Sequence, residues 1–373
     1  MRKICLCALC FIISIATSSA ACASARTVKL TDTAGRPVTA LFDPDRIVCI
    51  GPGALRLIVY LQAESKVVGV EDMEKMNPGG RPYWIAHPEF SGLPRCGPGG
   101  PAGINKKPDL EALLAVKPQV IFVTYMDASL ADEVQRTLGI PLVVLSYGAF
   151  ASFDEVVYDA LRIAGRILNR EQRAGEVVSY IESLRNDLRA RTRDIPQNSR
   201  PTVYVGGIGY RGSQGIESTE QSYIPFAWVG ANNIAEHVKA GIGSHVIMDK
   251  ETLLKLNPEI IFIDGGGTIL VKEDYRKKPE FYHALKAFSA GRVYTLHPFN
   301  WYATNIDTAL ADAYAIGKIL YEKRFEDIVP PLKADEIYTF LVGKPVHEDM
   351  QKDYGPIGQK TPFLIKRGRP LKL

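Results

Sequence analysis

The chain has 373 residues, 46% apolar and 23% charged, an ordinary globular composition that excludes a disordered tail protein, a collagen or a disulfide-stapled miniprotein. At about 150 residues per domain this length suggests two domains. A net charge of +4, from 45 basic and 41 acidic side chains, is too even to argue for nucleic acid or a membrane surface as a partner.

Residues 1–25 read as a signal peptide. Arg2 and Lys3 form a basic start, an apolar run covers 6–15, and small residues lead to Ala23-Ser24-Ala25, an A-x-A cleavage site. The run is too short to span a bilayer as a mature helix. A lipid-anchored Cys22 is the alternative; simple cleavage is preferred because Ser19 stands where such sites carry a Leu-like residue. Either route places the protein in the periplasm or at the outer face of the cytoplasmic membrane. Cleavage leaves Cys49 and Cys96, which form either one bridge or two small buried hydrophobes. No later segment approaches 18 consecutive apolar residues, so nothing else is expected to span a membrane.

Short apolar strands then alternate with helical patterns, which predicts an α/β fold with mostly parallel sheets. Strands are expected at 46–50, 66–70, 120–124 and 142–145, with helices at 54–62, 109–116 and 130–138. From 153 to 193 Gly and Pro nearly vanish and apolar residues fall at helical spacing, giving one long helix over about 170–193. Strands return at 202–205, 260–263 and 293–295, with helices at 253–256 and 308–320. The expected organisation is a signal peptide (1–25), an N-terminal α/β lobe (26–152), a linking helix region (153–196), a C-terminal α/β lobe (197–325), and a C-terminal helix with a basic tail (326–373).

An internal repeat supports two similar lobes. DLEALLAVKPQVIF (109–122) and DKETLLKLNPEIIF (249–262) each read as a capped helix, a Pro and a buried strand. With RIVCIGPGALRLIVYL (46–61), KVVGVE (66–71), GIPLVVL (139–145) and the stretch 218–235, these segments resemble the substrate-binding proteins of ABC importers for ferric siderophores, haem and cobalamin. The resemblance covers about 28–325. It implies two Rossmann-like lobes with mostly parallel sheets, joined by one long backbone helix. It also implies a ligand held between the lobes and delivered to a membrane permease with its ATPase. Glu111 and Glu251 match the family's rim acids, which meet arginines on the permease. In the first turn of a helix, each carboxylate would equally serve the helix dipole.

Gly53, in Gly51-Pro52-Gly53, follows a strand and opens a helix, where free N–H groups can face an anionic group or simply form a tight turn. Gly265-Gly266-Gly267 has the same two readings. Gly207-Ile-Gly209-Tyr-Arg-Gly212 is formally GxGxxG, but residues 213–218 do not read as a helix, so a nicotinamide site is rejected. A cleft loop fits better, with Tyr210, Arg211 and Glu217 as ligand contacts. Trp84, His87, Tyr125, Tyr147, Trp301 and Tyr302 sit in loops expected beyond strand ends, where open α/β sheets bind ligands. Flat rings suit an organic chelate, and phenol oxygens suit a ferric ion. His87, His245 and His297 could converge on a bare metal ion, while Arg56, Arg81, Lys106, Lys107 and Arg211 could attract an anionic chelate.

The reading that results is a monomeric binding protein, not an enzyme, with no permanently bound cofactor and a ferric siderophore as cargo. Corrinoid, haem or a bare transition-metal ion are alternative cargoes. An exported hydrolase is the alternative of another class, although no GxSxG elbow, catalytic Cys–His signature or zinc-protease motif is present. A surface adhesin or sensor on the same scaffold is a further one.

Overall fold

The computed structural model describes residues 26–76, 79–148, 153–209, 212–238 and 245–361. The expected signal peptide with Cys22, the candidates Tyr210 and Arg211, and the basic end of the tail lie outside them. The first element is a hairpin absent from the expected elements, β1 (Thr27–Thr31) paired antiparallel with β2 (Pro37–Leu41). The Asp32 carboxylate shapes its turn by accepting from the N–H groups of Ala34 and Arg36. It also ties the turn to the sheet by accepting from Val144 N at 3.1 Å.

Next come β3 (Ile47–Ile50), α1 (Ala54–Tyr60), α2 (Leu110–Ala115), β4 (Val120–Thr124), α3 (Ala128–Leu138) and β5 (Leu142–Leu145). The three strands form a parallel sheet in the order β3-β4-β5. Every residue of these strands is buried, as expected for apolar runs covered by helices on both faces. The expected strand at 66–70 reduces to isolated bridges at Val67 and Val70. A helical turn occupies Glu64–Lys66, and Gly69 interrupts the run.

Two helices follow, α4 (Val156–Ile167) and α5 (Glu171–Thr192). At 22 residues, α5 is about 33 Å long, and it buries Ala174, Val177, Ile181, Leu184 and Leu188 along one stripe. It leads to the second set of strands: β6 (Thr202–Gly206), β7 (Ser218–Glu220), β8 (Asn232–Asn233), β9 (His245–Ile247), β10 (Ile260–Asp264) and β11 (Val293–Leu296). Four of them form a parallel sheet in the order β11-β10-β6-β8, and β7 pairs antiparallel with β9. Helix α6 (Lys250–Leu256) precedes β10 as α2 precedes β4. The repeat is therefore structural: Asp109 caps α2 through Ala112 N at 3.0 Å, and Asp249 caps α6 through Thr252 N at 2.8 Å.

Helix α7 (Ile306–Leu320) is buried from Ile306 through Gly317, and a core shared by both halves forms around it. The C-terminal helix expected within 326–373 is α8 (Pro330–Val342), which opens at two prolines. A further helix, α9 (His347–Tyr354), follows it. The fold is thus α/β, with two mostly parallel sheets and one long helix between them.

Candidate binding pocket

A small pocket lies beyond the carboxyl ends of β6, β10 and β11, where such sheets place ligands. Its walls include Ile208, Glu220, Asp264, Phe299, Asn300 and Trp301. Its cavity volume of about 10 Å³ accommodates a single water-sized group. Two glycine-rich turns meet beneath it. Gly207 has φ +80°, and a Cβ on Gly267 would stand 2.4 Å from the Gly207 carbonyl oxygen. Gly207 and Gly267, one from each motif singled out in the sequence, are thus accounted for by backbone packing.

The polar groups of the pocket are acids. Asp264 is buried at the end of β10 and accepts from Gly266 N at 2.9 Å; burial pushes its carboxyl up to about 7. Glu220 has a buried, unpartnered Oε2, and burial, with the charge of Asp264, pushes it up to about 8. Behind them Asp312 is held well above the usual carboxylate range by burial. Among the described residues, no ion pair reaches Glu220 or Asp264. The indole Nε1 of Trp301 and Oδ1 of Asn300 are also buried without a partner.

The aromatic candidates divide. Trp301 lines the pocket. Tyr302 is buried and donates to Glu71 Oε2 at 2.6 Å, and burial pushes its phenol far up. Tyr147 donates to the Gly53 carbonyl at 2.8 Å, and burial pushes its phenol up to about 12. Gly53 itself has φ +81° and caps α1 without a side-chain bond, packed against the Tyr147 ring. Tyr125 is half-buried after β4 with φ +55°, its phenol likewise raised by burial. None of these three tyrosines lines the pocket.

Other candidates belong to the scaffold. Trp84 is buried against Phe90 and Arg81. His87 faces Glu89 through Nδ1 at 2.9 Å and the Val342 carbonyl through Nε2 at 3.0 Å, so neither ring nitrogen is available to a cleft ligand. Glu217 lies 3.5 Å from Lys250 Nζ. Arg56 and Arg81 are fully buried and cannot attract a ligand from solution; Arg81 pairs with Glu74 at 2.7 Å. Lys107 is exposed and pairs with Glu133 at 2.9 Å, and Lys106 is exposed.

The three histidines have separate partners. His245 Nε2 lies 2.8 Å from Ser218 Oγ, and His297 stacks on His347 with its Nε2 at 2.9 Å from the Gly355 carbonyl. Among the described residues, no group of three or more His, Cys, Asp or Glu is arranged to hold a metal ion. Cys49 and Cys96 are buried free thiols. Glu111 and Glu251 are both exposed in the first turn of α2 and α6.

Sequence reasoning missed Glu71, Glu220 and Asp264. Glu71 and Asp264 end apolar runs and Glu220 ends the polar strand Ser218–Glu220; only burial distinguishes each from a surface acid.

Residues 47–298 match the model of the family described as Periplasmic binding protein, and the chain belongs to that family. Its members are the substrate-binding components of ABC importers. They carry a small molecule to a membrane permease and its ATPase, and the family implies an exported, periplasmic location. Among the described residues, no helix is long and apolar enough to cross a membrane. The chain is 23% identical over 323 residues to the molybdate-binding protein MolA of Haemophilus influenzae, covering 80% of this chain and 86% of that one. Similar solved structures include a periplasmic solute binding protein from Veillonella parvula, with TM-score 0.69, 18% identity and coverage of 88% and 97%. Another is CeuE of Helicobacter pylori in a Ni-His complex, with TM-score 0.61, 16% identity and coverage of 87% and 99%. Both likenesses concern the fold.

Proposed function

We propose that this substrate-binding component captures an iron chelate of the ferric-siderophore type between two lobes, 26–152 and 197–325, and presents it to the permease through Glu111 and Glu251. The observation that supports the cargo reading is which groups stand at the pocket; its cavity holds only a water-sized group, so a chelate between the lobes would reach it with one edge. Two buried carboxyls, Glu220 and Asp264, line the pocket with Phe299 and Trp301, without an ion-pair partner among the described residues. When ionised, these acids disfavour a bare oxyanion, and in that state they suit a ligand that brings hydrogen-bond donors or positive charge next to a flat organic surface. A hexadentate siderophore fills the coordination sphere of its iron, so this reading asks no tyrosine of the protein to coordinate it.

A second reading is a compact oxyanion. The relative MolA binds molybdate, and the cavity is small enough to favour a compact guest. Titration of the purified protein with ferric siderophores, haem, cobalamin, molybdate and free metal salts, followed by tryptophan fluorescence, separates the two. Saturable quenching by a ferric chelate supports the first reading. A response to molybdate alone replaces it with the second. Silence with every ligand removes both.

A further inference from the structure

The loop after β11 brings Asn300 and Trp301 to the pocket along an unusual path. Tyr302 and Ala303, neither a glycine, hold φ of +54° and +65° in succession. Side chains rarely tolerate this region, and it persists where the surroundings impose it. Part of that constraint is internal: Asn305 Nδ2 donates to the carbonyls of Phe299 and Trp301.

The rest comes from the N-terminal half of the chain. Arg56, fully buried in α1, donates from Nη1 to the Thr304 carbonyl at 2.9 Å. From Nη2 it donates to the carbonyls of Trp301 and Tyr302 at 3.1 and 3.0 Å. Buried Glu71 accepts from the Tyr302 hydroxyl at 2.6 Å and from Gly51 N at 3.0 Å. The Tyr302 oxygen in turn accepts from Gly100 N at 3.1 Å. A planar guanidinium reaches three carbonyls from fixed directions; an ammonium on a flexible stem does not reproduce that fork.

We infer that Arg56 and Glu71 are positioning residues for the pocket: they hold the 299–305 loop in its left-handed path and so set Asn300 and Trp301 against walls supplied by the C-terminal half. The pocket of one sheet is thereby completed by a grip from the other. The consequence for ligand binding rests on the proposed pocket; the loop geometry does not.

The test uses the full chain labelled with 5-fluorotryptophan and ¹⁹F NMR. Trp84, Trp228 and Trp301 give separate reporters, and Trp301→Phe identifies the Trp301 signal. In Arg56→Lys and Glu71→Gln, with folding checked by circular dichroism, the Trp301 resonance is expected to shift or split into several lines while Trp228 stays in place. An unchanged Trp301 resonance in folded Arg56→Lys overturns the inference. So does an equal disturbance of Trp228, which would mean general loosening. Should Arg56→Lys not fold, Tyr302→Phe cuts the Glu71 tie with a smaller change and is read the same way. No ligand enters, so failure of the cargo proposal and failure of this one are told apart.

Discussion

The hydroxyl of Tyr302 donates a 2.6 Å hydrogen bond to Glu71, joining residues 231 positions apart. The contact inverts the role that the sequence suggests for Tyr302. Its phenol faces the other half of the protein, and what it delivers to the pocket is its neighbour, Trp301.

Removing that hydroxyl leaves Glu71 Oε2 with Gly51 N and deprives Gly100 N of an acceptor. Tyr302→Phe is expected to lower unfolding stability by about 1–3 kcal/mol, the range for stranded buried polar groups. Urea unfolding measures it, and a midpoint equal to that of the parent contradicts the assignment.

Gly53 is a second sensitive point. Its φ of +81° suits glycine, and an added Cβ would meet the Tyr147 ring at 2.7 Å. Gly53→Ala combines backbone strain with overpacking and is expected to destabilise by about 2–4 kcal/mol. Tyr147→Phe does not remove the ring, so the double variant should recover little, as thermal melts of both proteins will tell.

Stability should fall as pH climbs toward about 8, the folded value of Glu220. Glu220 and Asp264 bind protons more tightly folded than unfolded, their carboxyls standing at about 8 and about 7 against ordinary values of 4.5 and 3.8. Their contribution is full below the unfolded values and is lost as pH climbs through the folded ones. His297, lowered to about 4 by burial, acts in the opposite direction, but only between about 4 and 6.5. The window from about pH 6.5 to 8 therefore reports the buried acids, among them Glu71, whose carboxyl burial pushes up to about 7. Melting temperature is expected to decline across it, and Glu220→Gln should flatten the decline. A flat profile in the parent protein would refute the argument.

The paired substitution Glu111→Ala and Glu251→Ala should separate capture from delivery. Asp109 and Asp249, not the glutamates, provide the caps of α2 and α6, so each change should alter stability by less than about 1 kcal/mol. Ligand titration is expected to match the parent while uptake in cells is lost. Unchanged uptake would remove the docking role.

The alternating pattern of the fold was legible because buried parallel strands such as 120–124 and 260–264 are continuous apolar runs ending at sharp turns. The repeat was legible because both copies carry a capping Asp and a Pro at fixed spacing. The β1–β2 hairpin was not among the expected elements: Thr27–Thr31 alternates strictly, but it is only five residues long, its inward side chains are only half-buried, and its place depends on Asp32 reaching Val144 across the sheet. The pocket was least legible of all. Arg56 looks in sequence like a solvated charge, and only tertiary packing turns it into a buried bracket for three carbonyls. Trp84 and His87 likewise occupy a loop-like segment whose short helix, Pro82–Ala86, turns inward.

The segment after α9 runs beside β11, the outer strand of its sheet. Thr295 N donates to the Gln359 carbonyl, Thr361 N to the Val293 carbonyl and Gly358 N to the Thr295 carbonyl. An outer strand with open N–H and C=O groups is a template for a neighbouring molecule to add to. Here the chain's own end occupies that template at Tyr294 and Lys360. The C-terminal segment thus works as a selvedge. It finishes the margin of the sheet, so that a protein concentrated in a narrow compartment does not stitch itself, strand to strand, to the next copy.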